Sequence, residues 1–172
     1  MLKPKMEEAL NGQVNEEVFS AYLYASMVSY FESVNLKGFA HWMRMQVLEE
    51  QIHGQKVGEF IMARGGRLRL RAIAEPQQDW ASPSAAFEAA LQHEQHITEC
   101  LNNLSTLAFS EQDHATRTFL EWFVTEQVEE EANTDNMVQQ LKLAGDASGA
   151  LFLLDREAGQ RPAPAIAAPT GA

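Results

Sequence analysis

The chain has 172 residues, enough for one domain with a sizeable core, and its 45% hydrophobic and 9% aromatic content describes a globular protein rather than a disordered one. With 24 acidic against 13 basic residues the formal charge is −11, which argues against nucleic acid as the main partner and favours cations. The single cysteine, Cys100, excludes an internal disulfide, and Met1-Leu2-Lys3-Pro4 leads straight into a charged amphipathic pattern with no apolar signal core. Both features suit a reducing cytoplasm. No run approaches the roughly 18 apolar residues of a membrane helix, so a soluble protein with no membrane partner is expected.

A first helix is predicted to start at Pro4, with Glu7 and Glu8 in a first turn where the helix dipole favours anions, and to fade between Asn35 and Gly38. Its core seam reads Leu10, Val14, Glu17, Ala21, Tyr24, Val28, Phe31. A second helix, from about Phe39 to Arg64, stops at Gly65-Gly66 and carries the seam Phe39, Met43, Gln46, Glu50, His53, Val57, Phe60. Gly54 and Gly58 inside it either mark a close helix contact or are tolerated defects.

Residues 66–82 hold no convincing helix. A connection of that length inside an all-helical domain fits a crossover that travels the length of a bundle, so that the next helix runs parallel to the second. Arg67, Arg69 and Arg71 within it read as solvated charges. The third helix is capped by Ser82 with Pro83 at its first position and runs to about Ser110, with the seam Phe87, Leu91, Glu94, Thr98, Leu101, Ser105, Ala108. Asp113 caps the fourth, whose seam is Leu120, Phe123, Gln127, Glu130, Thr134, Met137, Leu141, and the Gly145-Asp146 pair ends it. A short fifth helix, about Ala147 to Ala158, carries Leu151, Phe152, Leu153 and Leu154, an apolar surface that implies packing into an assembly. The domain is therefore taken as residues 1–158, and the Pro/Ala-rich residues 159–172 as a disordered tail.

Each of the four long seams has a glutamate near its middle. A buried unpaired carboxylate costs several kcal/mol, so four of them require a shared purpose. Glu94 lies 16 residues before Ser110 and Glu130 lies 17 after Asp113, which sets them at nearly the same depth in their hairpin. In the first hairpin Glu17 lies 18 residues before Asn35, whereas Glu50 and His53 lie 12 and 15 after Gly38, a looser match that tilt must absorb. No lysine or arginine lies on any of these seams. Two divalent cations would balance four carboxylates, with His53 as a neutral ligand, and an oxygen-rich site with one imidazole suits iron or manganese. A buried polar network filled with water is the competing reading.

With Glu17, Glu49-Glu50-x-x-His53, Glu94 and Glu126-Gln127-x-Glu129-Glu130 on four successive helices, the chain resembles the non-haem bacterial ferritins from Leu2 to the fifth helix. The resemblance implies an all-α, ferritin-like four-helix bundle with one long crossover between the second and third helices and a short C-terminal fifth helix. It implies a homo-oligomeric hollow shell of twenty-four subunits. The general di-iron bundle pattern places Glu-x-x-His on two helices; here Gln127-Val128-Glu129-Glu130 replaces the second copy.

Carried over by position, the resemblance makes Glu17, Glu50 and His53 the ligands of one iron, with Glu50 bridging and Glu94 and Glu130 holding the second. Gln127 hydrogen-bonds nearby, Glu49, Glu126, Glu129 and Glu130 match a third iron site, and Tyr24 and Trp122 either donate electrons or pack the core. Glu130 and Gln51 stand where a haem-bearing bacterioferritin has histidine and methionine, so no haem is expected. The implied activity is that of a ferroxidase: iron(II) is oxidised by dioxygen or peroxide at the intrasubunit centre and stored as a ferric oxide mineral. His41, His93, His96 and His114 receive no ligand role, and Cys100 reads as an inert small hydrophobe. Three rivals are a peroxide-reducing di-iron protein like rubrerythrin, which needs cysteine ligands for its second iron domain, a DNA-protecting miniature ferritin, and a non-catalytic scaffold.

Overall fold

Among the described residues five helices, α1 (Pro4–Ser33), α2 (Lys37–Ala63), α3 (Pro83–Ser110), α4 (His114–Ala144) and α5 (Ser148–Ala158), account for the regular structure. The structure, a computed structural model, describes residues 1–145 and 147–164. Asp146 of the expected Gly145-Asp146 stop and residues 165–172 of the expected disordered tail lie outside the described residues. Among the described residues no helix is long and apolar enough to cross a membrane.

The helix ends follow from local chemistry. Pro4 and Pro83 occupy first-turn positions where a missing N–H costs nothing. The Ser82 hydroxyl accepts from the Ala85 N–H at 3.1 Å, and Asp113 accepts from the Thr116 N–H at 3.1 Å. Asp113 also receives Arg64 from the end of α2 at 3.1 Å, joining the two hairpins at this end of the bundle. The α1–α2 turn closes through Asn35 at φ 61°, a left-handed conformation that asparagine tolerates. α2 starts at Lys37, two residues earlier than the pattern at Phe39 indicates, because the Leu36 carbonyl already accepts from the Ala40 N–H at 3.0 Å.

α1 pairs with α2, α3 with α4, and α1 also packs on α3. Residues 65–82 form the crossover, and α1 serves as its track. The Asn11 amide donates to the Arg67 carbonyl at 3.1 Å and its oxygen accepts from the Arg69 N–H at 2.6 Å, while farther along Ser26 donates to the Gln77 carbonyl at 2.6 Å. Arg71 pairs with Glu8 at 2.6 Å and Arg69 lies 3.9 Å from Glu7, so these two arginines help tether the crossover to α1. Leu68 seats where a Cβ on Gly58 would stand 3.3 Å from it, and a Cβ on Gly54 would stand 3.4 Å from Glu17 Cβ. Gly58 therefore marks a tight approach, whereas a side chain at Gly54 would meet only ordinary contact.

Two apolar clusters fill the bundle, one above the other. The first gathers Tyr24, Met27, Phe31, Phe39, Met43, Phe87, Ala90, Met137 and Leu141. The second gathers Met6, Leu10, Val14, Val57, Ile61, Ile97, Leu101, Leu120 and Phe123. On each long helix the mid-seam glutamate falls between a residue of one cluster and a residue of the other: Val14 and Tyr24 flank Glu17, Met43 and Val57 flank Glu50, Ala90 and Ile97 flank Glu94, and Phe123 and Met137 flank Glu130. The four acids therefore share one polar layer across a continuous core.

α5 docks on α2 and α4. Leu151 and Leu154 pack against the first cluster, whereas Phe152 and Leu153 remain 63% and 62% exposed, so half of the apolar surface assigned to an assembly is spent within the chain. The docking point is Gly38, where an added Cβ would lie 1.5 Å from the Asp155 carbonyl oxygen, and the Asp155 carboxylate accepts from the Phe39 N–H at 2.9 Å. A Gly38→Ala substitution is expected to lift α5 from the bundle and to destabilise the fold by about 1–3 kcal/mol, the usual cost of overpacking. Chemical denaturation measures this; an unchanged midpoint would show that α5 is not seated through Gly38.

Candidate metal centre

Four helices each deliver one buried carboxylate to the polar layer. Glu17, Glu50, Glu94 and Glu130 are exposed by only 1%, 2%, 1% and 5%, and His53 by 6%. One oxygen each of Glu17 and Glu50 and one nitrogen of His53 lie within 4.8 Å of one another, a three-ligand group from α1 and α2. The Glu-x-x-His spacing brings His53 Nδ1 to 3.4 Å from Glu50. The His53 ring is set by the edges of Trp122 and Phe123, at centroid distances of 5.5 and 5.9 Å.

Glu94 and Glu130 face this group from α3 and α4, and amide or hydroxyl donors hold both. The Tyr24 hydroxyl donates to one Glu94 oxygen, and Gln127 donates to the other at 2.7 Å and to the Glu94 carbonyl at 3.0 Å. Gln46 donates to Glu130 at 2.9 Å, and Gln13 donates to Glu17 at 2.9 Å. Tyr24 is steadied in turn by His93, whose ring meets it edge-on at 6.2 Å and whose Nε2 is 2.7 Å from the Ser20 hydroxyl. Burial, and then His96, pulls the His93 value down to about 4, so the ring is neutral at ordinary pH.

Among the described residues no lysine or arginine pairs with any of the four acids. The charge has no local answer. Burial, and next the Glu50 charge, pushes Glu17 up to about 8 from 4.5. Burial and the Glu130 charge push Glu94 up to about 7, and burial with Glu94 and Glu130 raises Glu50 well above its ordinary value. Glu17 Oε2 and Gln46 Oε1 are buried without a hydrogen-bond partner. An acceptor-rich layer with open lone pairs, whose raised carboxyls can exchange protons for a cation, fits hard or borderline divalent cations.

Comparison with known proteins gives this arrangement its context. Residues 7–144 match the family model described as a Ferritin-like domain. The chain belongs to the ferritin family. It is 40% identical over 161 residues to the bacterial non-heme ferritin of Bacteroides fragilis, covering 94% of this chain and 100% of that protein. The Staphylococcus aureus protein of the same name matches at 40% over 94% and 97% of the two chains. Among solved structures, the open-pore ferritin from the hyperthermophilic archaeon Archaeoglobus fulgidus superposes with a TM-score of 0.93 at 48% identity, covering 94% and 99% of the chains. A humanized archaeal ferritin gives 0.95 at 47% identity, covering 96% and 100%.

In this ferritin the outer acids are placed differently from the inner layer. Glu49 is bound by Arg161 at 2.6 Å, and burial followed by the Glu130 charge still raises it to about 7. Glu126 is half-buried and raised mainly by burial, and Glu129 is exposed. Among the described residues these acids do not converge into a three-ligand group. Arg161, which composition assigns to the tail, lies over Trp42 at 4.3 Å, and its carbonyl is 2.9 Å from His41 Nε2. The first tail residues are thereby fastened to α2 through contacts that composition does not reveal. Gln13 also escapes the seam reading, although its position four residues before Glu17 was a usable signal.

The raised carboxyls fix the sign of a pH dependence. The folded chain keeps these protons after the unfolded chain has lost them, so their contribution is present below the unfolded value and disappears as pH rises through the folded value. Metal-free protein should lose thermal stability as pH climbs from 4.5 to about 8, and a Glu17→Gln variant should show a flatter profile. Stability that increases across this window would contradict the electrostatic account.

Proposed function

We propose that this ferritin stores iron and that Glu17, Glu50, His53, Glu94 and Glu130 form its ferroxidase centre, with iron(II) as substrate. The carrying observation is the polar layer itself: four buried carboxylates, no lysine or arginine paired with them among the described residues, and a Glu17 oxygen buried without a hydrogen-bond partner. Glu17, Glu50 and His53 take one iron, Glu94 and Glu130 the other, and Glu50 lies between the two halves as the bridge. Tyr24 and Gln127 orient Glu94, Gln46 orients Glu130, and Gln13 orients Glu17.

Iron(II) displaces the protons that burial holds on Glu17, Glu50 and Glu94. Each iron(II) gives up one electron; dioxygen accepts two, takes two protons and leaves as hydrogen peroxide, which can serve as oxidant in its turn. Two added positive charges exceed what four carboxylates balance, so hydroxide or oxide must enter and the ferric product is held less well. Release towards a ferric oxide store follows from that mismatch. Relatives described as open-pore and closed-form ferritins support an enclosing homo-oligomer, here a shell of twenty-four copies, and exposed Phe152 and Leu153 supply contact surface for it. Glu49, Glu126, Glu129 and Glu130 form a third, outer iron position in this reading, reached once Arg161 releases Glu49.

Stopped-flow oxidation of iron(II) tests the centre. Glu50→Ala should abolish the fast phase, and Gln127→Leu, which leaves every ligand in place, should slow it by about 10–100-fold. A Glu50→Ala protein that oxidises iron(II) at the parent rate would sink the assignment.

A further inference from the structure

The groove between α1 and α3 holds a second set of donor atoms outside the buried layer. His96 and Cys100 stand four residues apart on α3 and so share one face, and Glu16 reaches them from α1. His96 Nε2 is 3.1 Å from Glu16 Oε2 and 3.6 Å from Cys100 Sγ, and all three donor atoms lie within 4.8 Å of one another. A tetrahedral ion with ordinary zinc bond lengths separates its ligand atoms by about 3.4 Å for nitrogen and oxygen and about 3.6 Å for nitrogen and sulfur. Two of the three edges of a coordination triangle are therefore in place, and only the Glu16–Cys100 edge has to close.

Room for the ion and its remaining ligands is present. Glu16 and Cys100 line an open groove of ≈ 300 Å³ together with Gly12, Gln13 and Asn103. A Cβ added at Gly12 would meet nothing within 4 Å. We propose that Glu16, His96 and Cys100 form a second cation site, distinct from the buried centre, that takes a borderline divalent ion of the zinc(II) or iron(II) class. The donor set decides the class. Calcium and magnesium ask for oxygen ligands throughout, whereas one carboxylate, one imidazole and one thiolate suit borderline transition ions. The ion replaces the protons that now link the three side chains, and the face open to the groove leaves its fourth position to water.

The site and the buried centre are near neighbours without sharing a ligand. Gln13 lines the groove and donates to Glu17, so one amide side chain separates the two. Glu16 and Glu17 adjoin in sequence but differ in burial, one 36% exposed at its side chain and the other buried. An ion held here would wait at the outer wall of the centre.

Cobalt(II), added without oxygen to the metal-free full-length protein, provides the test. Cys100 is the only cysteine, so a sulfur-to-cobalt charge-transfer band in the near ultraviolet can arise from this site alone. The wild type should show the band; Cys100→Ser should lose it together with one equivalent of bound cobalt. His96→Ala and Glu16→Ala should each weaken the affinity read from the band by at least about 10-fold. Glu50→Ala should keep it, which separates this site from the proposed ferroxidase centre. Absence of the band in the wild type, or equal affinity after His96→Ala, would overturn the three-ligand site; loss of the band in Glu50→Ala would overturn its independence.

Discussion

Four carboxylates buried in one layer between two apolar clusters are the constraint to which the rest of the bundle answers. Among the described residues none of them has a lysine or arginine partner, and burial raises Glu17, Glu50 and Glu94 above their ordinary values. An apolar core built for stability alone would place leucine or phenylalanine there, as the same seams do one or two turns away. The layer costs the metal-free fold stability, and the two clusters above and below it offset that cost. The crossover follows from the same requirement. By running beside α1 it lets α3 and α4 enter the bundle in the orientation that sets Glu94 and Glu130 opposite Glu17 and Glu50.

The donors around the layer divide its work. Gln13, Gln46 and Gln127 each bring an uncharged amide N–H to a carboxylate, fixing its orientation without neutralising it. An arginine in any of these places would form a buried ion pair and remove the need for a metal. Arg161 pairs with Glu49 at the border of the layer, although burial and the Glu130 charge still hold that acid above its ordinary value.

The parts of this arrangement that were legible in the sequence are those written in helical period. Glu17, Glu50, His53, Glu94 and Glu130 stand on apolar seams, and a polar residue at such a position is conspicuous against its neighbours. The ends of α3 and α4 were legible because Ser82, Pro83 and Asp113 act locally. What lay beyond reading depended on a second partner. α1 is covered by α2, α3 and the crossover at once, so Asn11, Gln13 and Ser20 are buried although they stand off the single seam a pattern can follow. His93 is buried for the same reason on α3, and it reaches Ser20 rather than the layer. Gly38 looked like a linker residue, since only the fold brings Asp155 against it. Arg161 sat in a proline- and alanine-rich stretch whose composition says nothing of Trp42 and Glu49.

The most direct test of the central claim is to count ions and protons together. Anaerobic titration of the metal-free protein with iron(II) at neutral pH should fill about two tightly held ions per chain. Because Glu17 keeps its proton up to about 8, that filling should release at least about one proton per chain. Tight binding of a single iron, or of two with no proton set free, would contradict a layer of protonated carboxyls waiting for metal.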